Sequence, residues 1–189
     1  MVTSLHARLI GPFALVDDSG RDCTPRGAKS RGLIALLALS PERRRGRRWI
    51  EAKLWSDRAP EQASGSLRQT LAEIRLSLGA GAALLESDRE AVAIPSLTCD
   101  LDGDADVVRA ELAQGRELME GIDVRDPAFE SWIREQRSRF AGEPVSEIRA
   151  QPPPLTVPFY VRMNELPPSF GRFVSLALAD GIAGLVSEF

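Results

Sequence analysis

Pro60-Glu-Gln-Ala-Ser-Gly-Ser-Leu-Arg-Gln-Thr-Leu-Ala-Glu-Ile-Arg-Leu-Ser-Leu-Gly79 is the stretch from which the rest of the chain is best read. Leu67, Leu71, Ile74 and Leu78 recur at helical spacing and would form one narrow stripe. Pro60 suits the first turn, where a missing N–H costs nothing, and Gly79 is a stop signal. The stripe would dock the helix on a core. The opposite face would carry Gln62, Gly65, Gln69, Ala72, Glu73 and Leu76, with Arg68 and Arg75 on its flank. Small residues there let another surface come close. Periodicity alone fits any amphipathic helix with a solvated face, so the neighbouring segments must decide what this one does.

Immediately upstream, Trp55-Ser-Asp-Arg-Ala59 reads as a loop, preceded by a helix from Trp49 and by Arg43-Arg44-Arg45-Gly46-Arg47-Arg48. That basic run is either a solvated loop or a cluster at a helix start, offering side-chain charge and free N–H groups to phosphates. Further upstream, the segment from about Gly27 to Leu39 predicts a helix apolar nearly all round in its second half, hence central, closed by Ser40-Pro41. Leu5 to Val16 alternates imperfectly around Gly11-Pro12 and meets the turn Asp17-Asp18-Ser19-Gly20. Two short strands there, with a third near Arg21 to Thr24, predict a small antiparallel sheet. Downstream, Ala83 to Ile94 reads as two strands folded over Ser87-Asp-Arg-Glu90. The sum is an α+β fold: a winged helix-turn-helix over residues 1–97, with an N-terminal antiparallel sheet, three helices and a C-terminal β-hairpin wing. Short helices and a partial α/β segment follow.

The 189 residues are 43% hydrophobic, enough for a real core, and their net charge of −3 hides an asymmetry. Residues 21–75 hold 13 Lys/Arg against 6 Asp/Glu, whereas residues 86–150 hold 8 against 16. A basic segment followed by an acidic one suggests a polyanion-binding module joined to something that avoids the polyanion. The opening Met-Val-Thr-Ser-Leu-His-Ala-Arg lacks the basic leader and apolar run of a signal peptide. Leu33–Leu39, the longest apolar run, is far too short to span a bilayer. A cytoplasmic protein with no membrane association is expected. His6 is the only histidine, and Cys23 and Cys99 stand far apart, so neither a catalytic triad nor a zinc site can be assembled. In Cys99-Asp-Leu-Asp-Gly-Asp-Ala-Asp106 the acids alternate, but an EF-hand loop counted from Asp100 would have Ala105 where a glycine is required. No phosphate loop, metal cluster or activated nucleophile points to an enzyme, and no cofactor is expected.

The ordered set Leu9-Ile-Gly-Pro-Phe13, Arg26-Gly-Ala-Lys-Ser-Arg-Gly-Leu-Ile-Ala-Leu-Leu-Ala-Leu-Ser-Pro41, Leu54-Trp-Ser-Asp57 and Glu61 to Gly79 resembles the SARP/BTAD-type bacterial transcriptional activators, whose DNA-binding half is an OmpR/PhoB-like winged helix. The likeness covers roughly residues 5–97 without large gaps. It implies binding to direct repeats in double-stranded DNA upstream of a promoter, contact with RNA polymerase, and an open question of homodimer formation. By position it implies that Arg68 and Arg75 contact DNA from the recognition helix and that Gln62 lies on the same outward face. Gln69 becomes a base reader, and Lys29, Arg31, Arg47 and Arg48 become phosphate positioners; Arg89 sits at the wing tip. Glutamine can pair bidentately with adenine, whereas phosphate contacts carry no sequence information. The chain departs from the pattern at Ala72, Glu73 and Leu76, where basic residues are usual, at Gly46, where a serine is common, and in its weakly basic wing tip. Glu73 either accepts from a cytosine amine or repels the backbone.

Residues 98–141 resemble an abbreviated form of the helical activation domain, with a short helix over Val107–Gln114. Phe129, Trp132, Ile133, Gln136 and Phe140 lie near one face of a second helix. Residues 142–154, ending in Gln151-Pro-Pro-Pro154, have the composition of a linker. Residues 155–189 are similar to the start of a TolB N-terminal-like domain. One strand and one helix cannot bury their apolar faces alone, so this part reads as the cut-off beginning of a further domain. Two functional readings follow: a promoter-binding regulator, or a winged helix kept for protein contact whose basic face is masked by the acidic second half.

Overall fold

The structure, a computed structural model, describes residues 2–140. The predicted linker and the TolB-like segment lie outside the described residues. The elements run β1 (Leu5–Arg8), β2 (Ala14–Asp17), α1 (Ala28–Ala38), β3 (Arg44–Gly46), α2 (Arg47–Leu54), α3 (Pro60–Leu78), β4 (Glu86–Ser87), β5 (Ala91–Ala93), β6 (Leu97–Cys99), α4 (Ala105–Ala113) and α5 (Pro127–Phe140). This is a mixed α+β fold with two small sheets around packed helices, an arrangement consistent with a winged helix.

Helix α3 begins at Pro60 and stops at Gly79, whose φ of +56° is a conformation that glycine adopts without a Cβ penalty. Its stripe is fully inside: Leu67, Leu71, Ile74 and Leu78 are all 2% exposed or less. Ala63 and Thr70 are buried with them, which widens the stripe to the breadth a globular core requires. The C-terminal end of the helix is closed from outside, because Arg21 Nη2 donates to the Leu78 carbonyl at 2.6 Å, a cation at the negative pole of the helix. Asp17 holds Arg21 in place through Nε at 3.0 Å. The same carboxylate accepts from the Ser19 hydroxyl and from the Ser19 and Arg21 N–H groups, and this keeps its pKa far below the usual carboxylate range. In α1, Leu33 through Ala38 are completely buried, as a helix apolar all round must be.

The N-terminal sheet differs from the all-antiparallel expectation. Its order is β2-β1-β6: β1 and β2 are antiparallel, but β6 joins the other edge of β1 in parallel, Leu5 opposite Leu97 and Ala7 opposite Cys99. Residues 21–24 supply only an isolated bridge between Val16 and Asp22. The Thr24 hydroxyl takes the Leu15 N–H at 2.9 Å, and Pro25 has no N–H to extend a ladder. A second sheet, ordered β3-β5-β4, is antiparallel throughout. The arginine run therefore contains a strand, and the expected two-stranded hairpin gains a third. Asp88 shapes the β4–β5 turn by accepting from the N–H groups of Glu90 and Ala91, both at 2.7 Å.

Residues 98–140 share the core of what precedes them. Val108, Leu118, Met119, Ile122, Val124, Phe129, Trp132 and Ile133 belong to one buried cluster with the helices and strands of residues 5–97. The chain at 117–120 runs along the β1–β2 connection: Met119 N–H donates to the Leu9 carbonyl and Gly11 N–H to the Glu117 carbonyl. These bonds and full burial hold Met119 at a φ of +57°, a left-handed conformation that costs a residue with a Cβ about 1 kcal/mol or more. The acids of the Cys99–Asp106 run serve as backbone staples. Asp100 accepts from Leu9 and Ile10 N–H at 2.9 Å, Asp102 from Cys99 N–H at 2.8 Å, and Asp104 caps α4 through Asp106 N–H. Helix α4 starts two residues before the expected Val107.

Helix α5 packs on α2 with Phe129, Trp132, Ile133 and Gln136 buried. Asp126, 1% exposed, caps it by accepting from Ala128 N–H at 3.0 Å. The same carboxylate accepts from the Ser56 N–H and hydroxyl, both at 2.8 Å, and lies 3.9 Å from Lys29 Nζ. A residue near the end of the described chain thus fastens the turn between α2 and α3. Gly32 marks the closest approach on that side, since a Cβ there would stand 2.7 Å from Val124 Cγ2.

Candidate nucleic-acid interface

Five arginines from three elements meet on one side of α3. Arg47 and Arg48 open α2, Arg68 and Arg75 lie on α3, and Arg89 is in the β4–β5 turn. Two adjoining open grooves connect them. One, of about 430 Å³, is lined by Arg47, Arg48, Arg68 and Arg89 with Glu51, Pro60, Glu61 and Ser64. The other, of about 460 Å³, is lined by Arg47, Arg68, Arg75 and Arg89 with Leu71, Ser87 and Asp88. Arg48, Arg68 and Arg89 are exposed and have no hydrogen-bond or ion-pair partner among the described residues. Arg47 is partly used within the fold: its N–H donates to the Glu90 carbonyl at 2.8 Å and its Nη1 to the Ser87 hydroxyl at 2.9 Å, which fixes the hairpin beside α2. Arg75 is half-buried, with Nη2 3.5 Å from the Leu85 carbonyl.

The basic run before α2 divides: Arg43 ends a 3-10 turn with a φ of +53°, and within β3 Arg44 and Arg45 point to opposite faces. Arg43 reaches inward, bonding the Ala38 and Leu97 carbonyls and pairing with Asp102 at 2.5 Å. Arg45 donates to the Ser40 hydroxyl at 2.7 Å and lies over the Trp49 ring at 4.6 Å. Arg44 is exposed and pairs with Asp88 at 3.3 Å. Only Arg47 and Arg48 of the run line the grooves.

The other expected site residues stand elsewhere. Lys29 Nζ donates to the Leu54 carbonyl at the end of α2 and lies 5.8 Å over the Trp55 ring. Burial pushes its pKa down, against the opposing pull of Asp126. Arg31 donates to the carbonyls of Pro25, Arg26 and Gly121. Glu73, expected on the outward face, is turned to α1: it accepts from Gly27 N–H and from the Ser30 hydroxyl, both at 2.7 Å. Gly27 precedes α1 and has no side chain with which to cap it, so Glu73 supplies the carboxylate at that positive pole from a neighbouring helix. Lys29, Arg31 and Glu73 are thereby occupied inside the fold. Gln69 is exposed and borders the shallow space between α3 and the start of α1. Gln62 is exposed in the first turn of α3. Ser64 and Ser87 were not singled out in the sequence; Ser64 could have been, since it precedes Arg68 by one helical turn.

Among the described residues, none beyond residue 97 lines these grooves. Their acidic lining residues are Glu51, Glu61 and Asp88, none of which follows residue 97. Among the described residues no helix is long and apolar enough to cross a membrane.

No protein family matches the chain, and no curated protein matches it. Among solved structures it is similar to Mycobacterium tuberculosis EmbR in complex with a low-affinity phosphopeptide, at 22% identity over 72% of this chain and 39% of that one, with a TM-score of 0.46. The chain therefore spans well under half the length of that structure, and a likeness of this size carries no functional assignment.

Proposed function

We propose that this chain is a sequence-specific DNA-binding transcriptional regulator of the SARP type, acting in the cytoplasm, with α3 as recognition helix and the β4–β5 turn as wing. The observation that carries the reading is the convergence of Arg47, Arg48, Arg68, Arg75 and Arg89 on one side of α3. Three of these side chains are free to meet phosphates, which lie on both sides of a helix seated in the major groove. Such a site needs no cofactor and no catalytic group. Promoter repeats would place copies side by side, and contact with RNA polymerase would turn binding into activation.

A titration of duplex DNA from the gene's own upstream region, repeated across a salt series, tests this. The three free arginines give a log–log slope of about −3, and Arg47 and Arg75 steepen it toward about −4 to −5 if they also leave their partners for phosphates. Affinity independent of salt, or equal for upstream and unrelated duplexes, would sink the proposal. A second reading, a winged helix kept for protein contact, is favoured by one observation: Leu76, on the exposed side of α3, is 82% exposed.

A further inference from the structure

The outward side of α3 is ordered. Gly65, Gln69, Ala72 and Leu76 repeat the spacing of the buried Leu67, Leu71, Ile74 and Leu78 two residues earlier. An offset of two residues is about 200° around a helix, so the first set forms a ridge pointing straight away from the core. The ridge carries no charge. Gln69 and Ala72 are exposed, and Leu76 at 82% is the most exposed large apolar side chain among the described residues. Arg68 and Arg75 flank the ridge two helical turns apart, on the side of the hairpin.

We infer that Ala72 and Leu76 read the 5-methyl groups of thymines in the major groove; this inference rests on the DNA-binding reading above. The arginines decide the partner. A ridge bordered by the free Arg68 and the half-buried Arg75 complements a polyanion better than an apolar protein surface, and with phosphates held at its flank the ridge itself faces base edges. The apolar feature displayed there is the thymine methyl, which small apolar side chains contact. Gln69, one turn before Ala72, would then stand at the neighbouring base pair, where its amide can pair with adenine. The target is thus an A·T-containing site in which thymine cannot be exchanged for a base without the methyl.

The test starts with the full chain and a random-sequence duplex pool. The best-enriched duplex is resynthesised with uracil in place of each thymine in turn, which removes one methyl and leaves the base pairing. At one or two positions affinity should fall about three- to tenfold, the value of one buried methyl. Leu76→Ala should abolish that loss at one of these positions while leaving the salt slope unchanged, and its folding is not at risk because the side chain lies in solvent. If every uracil is neutral, or if Leu76→Ala keeps the whole pattern of losses, the methyl reading is overturned while DNA binding stands. If no duplex is enriched from the pool, both readings fall together.

Discussion

Replacing Asp126 with alanine should lower the free energy of unfolding by about 3 kcal/mol, read by urea denaturation at pH 7. One carboxylate caps α5, accepts from Ser56 twice and faces the Lys29 ammonium, so its removal strands several donors at once. Burial alone would raise the Asp126 pKa, but the Ser56 and Ala128 donors and the Lys29 charge outweigh it, and the group lies below its ordinary value of 3.8. A depressed carboxyl contributes stability above its unfolded-state pKa and loses it as pH falls through the folded one. The difference between wild type and Asp126→Ala should therefore be constant near neutrality and shrink below about pH 3.8. A difference unchanged down to pH 2 would mean that the carboxylate is not what fastens the α2–α3 turn.

Removing Arg48, Arg68 and Arg89 together should weaken DNA binding about 100-fold near 0.15 M salt and make the log–log salt slope shallower by about 3. All three side chains are exposed, so stability should change by less than about 1 kcal/mol. Arg31→Ala should leave the slope as it was, since that guanidinium is bound to three carbonyls within the fold. Equal slope changes for Arg31→Ala and for Arg68→Ala alone would place the phosphate contacts away from the two arginine-lined grooves.

The elements legible in the sequence were those with strong local signals. The stripe of Leu67, Leu71, Ile74 and Leu78, bounded by Pro60 and Gly79, fixed α3 to the residue. The hairpin followed from its turn residues, and α1 from its apolar second half. What local pattern could not reveal was pairing across the chain. That β6 runs parallel to β1 depends on residues ninety positions apart, and the opposite facing of Arg44 and Arg45 appears only once β5 lies beside them. Of the candidate site, composition marks the arginine-rich segments, but not where each side chain stands. Spacing along the helix sets Glu73 opposite the leucine stripe, yet it stands on the flank next to buried Thr70, where α1 begins with a glycine that needs a cap. Lys29 and Arg31 lie on a basic segment but serve carbonyls and Asp126, partners from residues 54, 121 and 126 that no neighbouring residue announces.

On the proposed reading, α3 enters the major groove with its Gly65–Leu76 ridge foremost. Cys23 and Cys99 are 2% and 4% exposed, and burial raises both thiols, that of Cys99 to about 11, so neither should react with a thiol reagent in the folded protein. Ala72→Cys can then be labelled alone with an iron chelate that cuts nearby DNA. The predicted result is strand scission at a few base pairs in the centre of each protected site, offset between the strands as major-groove attack requires. Scission absent from the protected site, or no stronger than that from a chelate on Ala113→Cys in α4, would contradict it.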